Sequence, residues 1–433
     1  MAGGIFGVFS KKEENVIGDL FWLMFYGQHL GQQYCGISYP KNDLDFSTTT
    51  HKGLVRPRFG DEISGLSASS AIGHTALKER QPLEANCSWG RFSLTFSGNI
   101  ANEKELRREF LSFGHSFITN RSVEVLTKLI AQGNSPSDGI QRVFEKVEGA
   151  FALLMLVKDG IYAARSKEGQ IPLILGEKEN GFVLSSTSTG FGNLGYAILR
   201  DLKPGEIVLV EKGEIKILFQ HETGRIQFPT FRWVYGDNPV SSIEGINTAV
   251  TREKIGALLA KELKTKADFV MGVPKSGIFH AIGYANESGL PYNEGLVKYE
   301  YADRSYTQPT AKERDMEANI KIIVIPELVR GKTIIVVDDS IVRATQMKMN
   351  LIAKLKKAGA KKIHLAIAFP PITKICPFDY STRQPEELAM HKYGSEDGIR
   401  SFLGVDSLHF ATKELVAKAI GKPVEELCFH CCS

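Results

Sequence analysis

The second half of the chain contains three short, continuous runs of apolar and β-branched residues, and helical spacing separates them. The apolar runs are residues 269–273, 334–337 and 363–368, and the helical segments are residues 278–288 and 346–358. Strands buried on both faces read as continuous apolar runs, and parallel strands need crossover connections that are usually helices. The pattern predicts an α/β domain with a parallel sheet over residues 230–433.

The first half has a different pattern, with many short segments of β character between turns rich in Gly, Asn and Ser. These segments are residues 92–96, 152–157, 160–164, 182–186 and 206–210. Residues 15–26, 103–113 and 122–132 instead place apolar side chains three and four positions apart, which is typical of helices. The pattern predicts an α+β domain over residues 1–229, in which helices cover sheets.

Composition and charge exclude several classes of protein. Hydrophobic residues make up 43% of the chain and charged residues 24%, values that are ordinary for globular domains. The apolar runs are much shorter than the roughly 18 residues of a membrane-spanning helix, and the first residues lack a basic leader. We therefore expect a cytoplasmic chain with no membrane partner.

The net charge of +4 includes no basic tail. The longest cluster of cations is interpreted as a solvated helix face, and it consists of Lys354, Lys356, Lys357, Lys361 and Lys362. Nucleic acid is not expected to be a partner.

The apolar run at residues 334–337 leads directly into a turn with two acids, a hydroxyl residue and an arginine, and a helix is predicted to follow. Backbone N–H groups at a helix N-terminus favour a phosphate. Asp338 and Asp339 are suited to the hydroxyls of a diol or to a hard cation on a pyrophosphate. The alternative is that Asp338, Asp339 and Ser340 only cap the following helix.

This turn resembles the phosphoribosyl pyrophosphate signature of type I phosphoribosyltransferases, most closely that of the glutamine phosphoribosylpyrophosphate amidotransferases. The matching run is Val336-Val337-Asp338-Asp339-Ser340-Ile341-Val342-Arg343-Ala344-Thr345. Further family landmarks follow in order at residues 28–32, 73–74, 81–82, 98–99, 149–151, 204–208, 273–277, 283–285, 289–292, 304–306, 314 and 321. The resemblance implies an N-terminal-nucleophile-type αββα domain followed by a type I phosphoribosyltransferase domain.

The resemblance also implies roles for individual residues. Asp338 and Asp339 would contact the ribose hydroxyls and the pyrophosphate with its Mg²⁺, and residues 340–345 would surround the 5′-phosphate. Lys275 and Ser276 would lie in the pyrophosphate-side loop, and Arg304 and Lys321 would be catalytic. Three positions depart from the family pattern, since Lys275, Ala344 and Gln346 replace its usual Asp, Gly and Thr. A methyl group at residue 344 could obstruct a backbone that approaches phosphate closely.

The resemblance further implies a glutaminase site in the first half, but its functional positions are changed. The family uses an N-terminal cysteine as nucleophile, and that position is Gly3 here. Its glutamine-binding arginine is Ala76, its oxyanion-hole asparagine before Gly98 is Ser97, its amine-binding aspartate is Ser122, and the arginine of its Gln-His-Arg-Gly pattern is Leu30. We expect no glutamine hydrolysis, and either a structural role for the domain or a cavity for a less polar ligand.

The six cysteines include a group near the end of the sequence. Cys376, Cys428 and Cys431 resemble three of the four ligands of the [4Fe–4S] cluster in the cluster-containing branch of the family. Pro229 replaces the fourth ligand, for which Cys432 or His430 could substitute. Zinc binding and free thiols are the alternatives.

Two functions follow from the sequence. The first is an amidophosphoribosyltransferase-like enzyme of purine synthesis, a homo-oligomer that takes ammonia or another amine from solution or from an ammonia-donating partner. The second is a non-catalytic relative that binds phosphoribosyl pyrophosphate or a nucleotide and regulates another protein.

Overall fold

A computed structural model describes residues 3–42, 45–222, 224–299, 321–378 and 384–432. Contacts within the chain group it into two units. The first comprises residues up to 229, 236–245 and 377–378; the second comprises 230–235, 246–376 and 384–432. Residues 236–245 and 377–378 therefore belong with the first unit, although the boundary proposed from sequence assigned them to the second.

The first unit contains two antiparallel sheets. The seven-stranded sheet has the order β11-β9-β10-β1-β4-β2-β3. Its strands are β1 (Gly4–Ser10), β2 (Tyr34–Pro40), β3 (Phe46–Lys52), β4 (Ser70–Ala76), β9 (Ile174–Lys178), β10 (Gly181–Ser185) and β11 (Ala197–Asp201). The six-stranded sheet has the order β13-β12-β8-β7-β6-β5. Its strands are β5 (Leu83–Cys87), β6 (Gly90–Ile100), β7 (Gly149–Val157), β8 (Gly160–Arg165), β12 (Glu206–Glu211) and β13 (Glu214–Gln220).

Side-chain alternation along the strands produces the layers of this unit. Ile5 of β1 packs between the two sheets with Leu154 of β7, whereas the next residue, Phe6, packs on the opposite face. Successive strand residues point to opposite faces, so each sheet presents one apolar surface to the other sheet and one to helices. The predicted layered domain, with helices covering sheets, is confirmed.

The helices of the first unit cover the outer faces of the sheets. They are α1 (Ile17–Gly27), α2 (Val55–Phe59), α3 (Glu103–Ser112), α4 (Ser122–Ala131) and α5 (Pro136–Lys146). Helices α1 and α2 share a core with the seven-stranded sheet, and α3, α4 and α5 share another with the six-stranded sheet. The order of layers is therefore helix, sheet, sheet, helix.

The second unit is built on a four-stranded sheet in which all pairs are parallel. Its order is β16-β19-β20-β21, with β16 (Phe269–Gly272), β19 (Thr333–Asp338), β20 (Lys362–Ile367) and β21 (Ser407–Phe410). The short strands β14 (Ser242–Ile243) and β15 (Ile246–Asn247) precede this sheet in the chain. A short antiparallel pair joins β17 (Leu296–Lys298) to β18 (Ile322–Val324). The predicted parallel sheet is confirmed.

The described helices of the second unit are α6 (Thr248–Leu263), α7 (Ile278–Ser288), α8 (Pro326–Val329), α9 (Thr345–Met347), α10 (Ala353–Lys357), α11 (Ala389–Tyr393), α12 (Glu396–Leu403) and α13 (Lys413–Ile420). A π-helical segment, Lys348–Ile352, joins α9 to α10, so the predicted helix over 346–358 is one helical run with a wider turn inside it. Across the described residues, no helix is both long enough and apolar enough to cross a membrane.

Candidate functional site

The carboxyl ends of β16 and β19 bring two loops to one edge of the parallel sheet. Gly272 is paired in register with Val337, and the amide of Val273 donates to the Val337 carbonyl at 2.9 Å. The loop after β16 and the acidic turn after β19 therefore begin side by side. In open α/β sheets this edge is where ligands bind.

Asp338 and Asp339 are fixed by hydrogen bonds within these loops. Asp338 Oδ1 accepts from the Ser276 hydroxyl at 2.5 Å and from the Asp339 amide at 2.9 Å, and Asp339 Oδ2 accepts from the Ser340 hydroxyl at 2.6 Å. Neither acid caps the following helix, because α9 begins after Ala344 without a side-chain cap. The helix-cap interpretation of this turn is wrong.

Burial controls the charge of the acidic pair. The two residues are only 8% and 7% exposed. Burial raises the pKa of Asp338 well above the ordinary carboxyl range, and the negative charge of Asp339 raises it further. Burial also raises the pKa of Asp339, against the hydrogen bond from Ser340 and the positive charge of Arg252. The pair therefore tends to retain a proton, and a cation bound there would favour its full ionisation.

Arg252 is a residue of this neighbourhood that sequence reasoning missed. It lies on α6, is 3% exposed, and donates from Nε to the Trp233 carbonyl at 2.9 Å. The positive charge of its guanidinium group opposes the effect of burial and lowers the pKa of Asp339. Its spacing from Ile255 and Leu259 could have indicated its burial, because the three residues lie on the same face of α6 and the other two are buried apolar residues.

The turn after the acidic pair is anchored on both sides. Ile341 and Ala344 are buried, while Arg343 is exposed and forms an ion pair with Glu387 at 2.5 Å. The Val342 carbonyl accepts from the Ala389 amide at 2.8 Å. Ala344 has φ +39°, a conformation that residues with a Cβ rarely adopt. The exposed Thr345 begins the helix.

The structure describes two of the three remaining residues predicted for this site, Lys275 and Lys321. Lys275 is exposed in the loop that brings Ser276 to Asp338. The Lys321 carbonyl accepts from the Tyr299 amide at 2.9 Å, next to the ribbon of β17 and β18. Arg304, predicted to be catalytic, lies outside the described residues, as does Arg314.

The changed glutaminase positions are partly brought together in the first unit. The Ser97 hydroxyl donates to the Gly3 carbonyl at 2.8 Å, and Gly3 lies beside Thr75 and Ala76. Gly3 has φ +107°, and a Cβ there would lie 2.4 Å from the Thr75 carbonyl oxygen. A side chain at residue 3 therefore conflicts with both the local backbone conformation and the neighbouring strand.

The surroundings of Gly3 are apolar or uncharged. Ala76 and Leu30 are each 1% exposed, and His74 is fully buried. Burial lowers the pKa of His74 to about 3, so its ring is neutral near pH 7. Gly98, next to Ser97, has φ +144° and approaches the Ala150 carbonyl so closely that a Cβ would lie 2.0 Å from it.

Ser122 makes its contacts with two carboxylates of the chain. Its amide donates to Glu79 Oε2 at 2.7 Å, and its hydroxyl donates to Glu103 Oε2 at 2.7 Å. Glu79 also accepts from the Gln81 side-chain amide at 2.8 Å, and burial raises the pKa of Glu79. Internal hydrogen bonds thus satisfy both donors of Ser122, the position at which the resemblance implies an amine-binding aspartate. Sequence reasoning did not identify Glu79, which lies between the charged residues Lys78 and Arg80.

The cysteines do not assemble into a metal site. All six are free of disulfides, and among the described residues no group of three or more His, Cys, Asp or Glu side chains could hold a metal ion. Cys376, Cys428 and Cys431 are all described. The structure therefore gives no support to the predicted [4Fe–4S] cluster or to a zinc site.

A separate cavity of about 630 Å³ lies in the second unit. Its lining residues are Tyr299, Ile322, Ile323, Val324, Pro326, Arg330, Lys354, Lys357 and Ala358. Lys354 donates to the Ile322 carbonyl at 2.7 Å, and burial lowers its pKa. The prediction of a wholly solvated lysine face is therefore wrong for Lys354. The residues of the acidic turn do not line this cavity.

Comparison with known proteins gives matches over nearly the whole chain. The family model described as a glutamine amidotransferase domain matches residues 69–192. The amidophosphoribosyltransferase of Methanocaldococcus jannaschii is 32% identical over 99% of this chain and 96% of its own length. That of Pyrococcus horikoshii is 35% identical over 94% of this chain and 90% of its own.

The chain belongs to the amidophosphoribosyltransferase family. A solved structure of the Bacillus subtilis glutamine phosphoribosylpyrophosphate amidotransferase, complexed with ADP and GMP, has a TM-score of 0.92 to this chain. It is 30% identical, and the match covers 99% of this chain and 96% of that one. The fold of an amidophosphoribosyltransferase is thereby confirmed, with a glutamine amidotransferase-type domain followed by a phosphoribosyltransferase domain with a parallel sheet.

Proposed function

We propose that this chain binds phosphoribosyl pyrophosphate with Mg²⁺ at the acidic turn and transfers ammonia to C1 of the sugar, releasing pyrophosphate in a step of purine synthesis. The observation that carries the proposal is the buried Asp338–Asp339 pair at the carboxyl end of β19, hydrogen-bonded to the adjacent loop through Ser276. The full-length similarity to amidophosphoribosyltransferases supports it.

The acidic pair fits a magnesium complex of an anionic ligand. Mg²⁺ prefers oxygen ligands and is usually held by one or two carboxylates together with phosphate oxygens of the substrate. Asp338 and Asp339 would hold it, and the ion would neutralise charge that develops on the departing pyrophosphate. Because Ser276 donates to Asp338, this hydroxyl keeps the carboxylate oriented whether or not the site is filled.

The rest of the turn supplies contacts to the sugar phosphate. Residues 340–345 surround its 5′-phosphate in this proposal, with backbone amides near the start of the helical run as donors. The ion pair between Arg343 and Glu387 fixes the outer side of the turn. Arg304 and Lys321 remain the predicted catalytic residues, and Lys275 lies in the pyrophosphate-side loop.

The glutaminase reaction is absent in this proposal. Gly3 offers no nucleophile, and its conformation leaves no room for a side chain. Ser97 uses its hydroxyl on the Gly3 carbonyl, and Ser122 is bonded to Glu79 and Glu103. Loss of a nucleophile alone costs on the order of a millionfold in a hydrolase. Ammonia then comes from solution or from a partner enzyme that releases it.

A second function, a non-catalytic binder of phosphoribosyl pyrophosphate or a nucleotide, is favoured by one observation. Ala344 is buried at φ +39° in the loop that would surround the phosphate. A residue with a Cβ is strained there, and its methyl group restricts how closely a ligand can approach the backbone. Under this function, binding persists and pyrophosphate release does not occur.

The test is a pyrophosphate-release assay on the full chain with phosphoribosyl pyrophosphate and Mg²⁺. Ammonium is expected to support release and glutamine is not, with no glutamate formed. The Asp338→Asn/Asp339→Asn variant serves as the inactive control. Glutamate production above a reaction without protein would contradict the missing glutaminase, and ligand binding without release on ammonium would establish the second function instead.

A further inference from the structure

Two neighbouring cysteines in the last described turn have their sulfur atoms close together. Cys431 Sγ and Cys432 Sγ are 3.7 Å apart, and both residues are half-buried. They belong to the short 3₁₀ turn His430–Cys432. Successive side chains on a helical turn diverge, by about 100° for each residue of an α-helix, so such an approach requires a particular pair of rotamers.

The backbone around the pair is held by contacts that do not involve the thiols. The Cys431 carbonyl accepts from the amides of Thr373 and Lys374 at 2.8 and 3.1 Å, and the Cys432 amide donates to the Phe429 carbonyl at 2.9 Å. Phe429 stacks on Phe369 at a ring separation of 6.1 Å. The turn is thus fixed on the loop after β20 while both sulfur atoms remain available to each other.

We propose that Cys431 and Cys432 form a vicinal dithiol, which closes to a disulfide by exchange with small disulfides of the glutathione type. The S–S bond measures about 2.05 Å, so the sulfur atoms need to approach by somewhat less than about 2 Å. Because neighbouring Cα atoms lie about 3.8 Å apart, closer than the usual range of about 4.4–6.8 Å for a disulfide, closure also changes the backbone of the terminal turn.

The exchange has two balanced steps. One protein thiolate attacks a sulfur of the small disulfide, so a mixed disulfide forms and one small thiolate leaves. The second protein thiolate then attacks the cysteine sulfur of the mixed disulfide and expels the second small thiolate. The two protein thiols are oxidised to one disulfide, the small disulfide is reduced to two thiols, and the two protons pass to those thiols.

The experiment compares four full-length proteins after equilibration with oxidised and reduced glutathione. They are the wild type, Cys428→Ser, Cys431→Ser and Cys432→Ser, each with its fold checked by a thermal melt. After acid quenching, the peptide that contains residues 428–432 is weighed by mass spectrometry. The wild type and Cys428→Ser are expected to lose two hydrogen atoms at Cys431 and Cys432 and to carry no glutathione on either residue. Cys431→Ser and Cys432→Ser each keep one cysteine of the pair and are expected to carry one glutathione on it.

A second probe tests proximity without oxidation. An arylarsenoxide condenses with two adjacent thiols and releases one water, so one equivalent should bind the wild type and Cys428→Ser tightly and neither of the other variants. A stable glutathione adduct on Cys431 or Cys432 of the wild type, a disulfide that uses Cys428 or Cys376, or thiols blocked by bound iron or zinc would each overturn the proposal.

Discussion

Asp338 and Asp339 are adjacent carboxylates that the fold keeps away from water before any ligand arrives. The hydrogen bonds from Ser276 and Ser340 orient them but do not supply a positive charge. The pair is therefore costly when both groups are ionised and is stabilised by a cation. This cost has a measurable dependence on pH.

Asp338→Asn is expected to stabilise the folded protein increasingly as pH rises. Burial raises the folded-state pKa of Asp338, so the folded state binds the proton more tightly than the unfolded state. Stability from this group is present at low pH and is lost as pH rises above about 4, the ordinary carboxyl pKa. Asparagine keeps the oxygen that accepts from Ser276 and does not titrate.

Thermal melts from pH 4 to pH 8 without Mg²⁺ provide the measurement. The difference in melting temperature between Asp338→Asn and wild type should grow across this range. Asp397→Asn is the control, because Asp397 is exposed on α12. A difference that is constant with pH, or that shrinks as pH rises, is incompatible with a raised pKa at Asp338.

Gly3→Cys is expected to destabilise the protein without creating a glutaminase. Its Cβ would lie 2.4 Å from the Thr75 carbonyl oxygen at φ +107°, so strand β4 must shift or the backbone must change. The cost should be about 1–3 kcal/mol, as for other strained or overpacked sites. Gly18→Cys is the matched control, since a Cβ at Gly18 meets no atom within 4 Å.

Urea unfolding and a glutamate-production assay on both variants test this prediction. Only Gly3→Cys should lose stability, and neither should release glutamate, because Ala76 and Ser97 leave the carboxylate and the oxyanion without partners. Glutamine-dependent activity in Gly3→Cys would show that the site has lost only its nucleophile.

At the scale of elements, the turn and helix after β19 combine three unusual features. Ala344 is at a positive φ, α9 has no side-chain cap, and a π-helical segment follows over Lys348–Ile352. Gly is favoured at a positive φ because it has no Cβ. The strain at Ala344 therefore acts on the element that would contact the sugar phosphate.

Ala344→Gly is expected to raise both stability and affinity for phosphoribosyl pyrophosphate. Removal of the strain of a left-handed residue should stabilise the folded protein by roughly 1–2 kcal/mol. The greater backbone freedom of glycine in the unfolded chain should offset about 0.5–1 kcal/mol of this gain. Lys264→Gly is the matched control, because Lys264 has φ +47° at the end of α6, outside this turn.

Two measurements on each variant, the free energy of unfolding and the affinity for phosphoribosyl pyrophosphate, separate the effect of backbone strain from the effect of the methyl group on ligand approach. Lys264→Gly should gain stability alone, whereas Ala344→Gly should gain affinity as well. Equal affinities in wild type and Ala344→Gly would show that the methyl group at residue 344 does not limit binding.

The sequence predicted elements best where periodicity and end signals agree. Helix α7 was predicted over 278–288, as observed, because its apolar spacing ends at Gly289, which has φ +73°. Helix α6 was not assigned, because its buried stripe includes Thr248, Thr251 and Arg252 and so lacks a clear apolar face. The π-helical segment in residues 348–352 has no simple periodicity signal, and the sequence predicted an ordinary helix there.

At the scale of the whole molecule, the fold is shared with enzymes about one-third identical, whereas the proposed function gives this chain a glutaminase site without its usual polar groups. The layers depend on apolar positions such as Ile5 and Leu154, which are fully buried. A glutamine-binding pocket depends instead on a few polar side chains, and the resemblance implies that Gly3, Ala76 and Ser97 stand at such positions here. The two sets of positions can therefore change independently.

The parts of the candidate sites that could not be predicted are contacts between residues far apart in sequence. The acidic turn was found because its residues are consecutive, and its local motif resembles a known signature. The bond between Glu79 and Ser122 joins residues 43 positions apart, and Arg252 acts on Asp339 from another helix. Only the packed structure brings such groups together.

The central claim is that Asp338 and Asp339 bind the magnesium complex of phosphoribosyl pyrophosphate, and calorimetric titration tests it directly. The account predicts that wild type binds this complex and that Asp338→Asn/Asp339→Asn binds it about ten- to a hundredfold more weakly, since a charge-assisted contact contributes roughly 1.5–3 kcal/mol. Glu396→Gln/Asp397→Asn, which removes two exposed acids from α12, should bind like wild type. Unchanged affinity in the Asp338→Asn/Asp339→Asn variant, or no binding by wild type with Mg²⁺, would contradict the account.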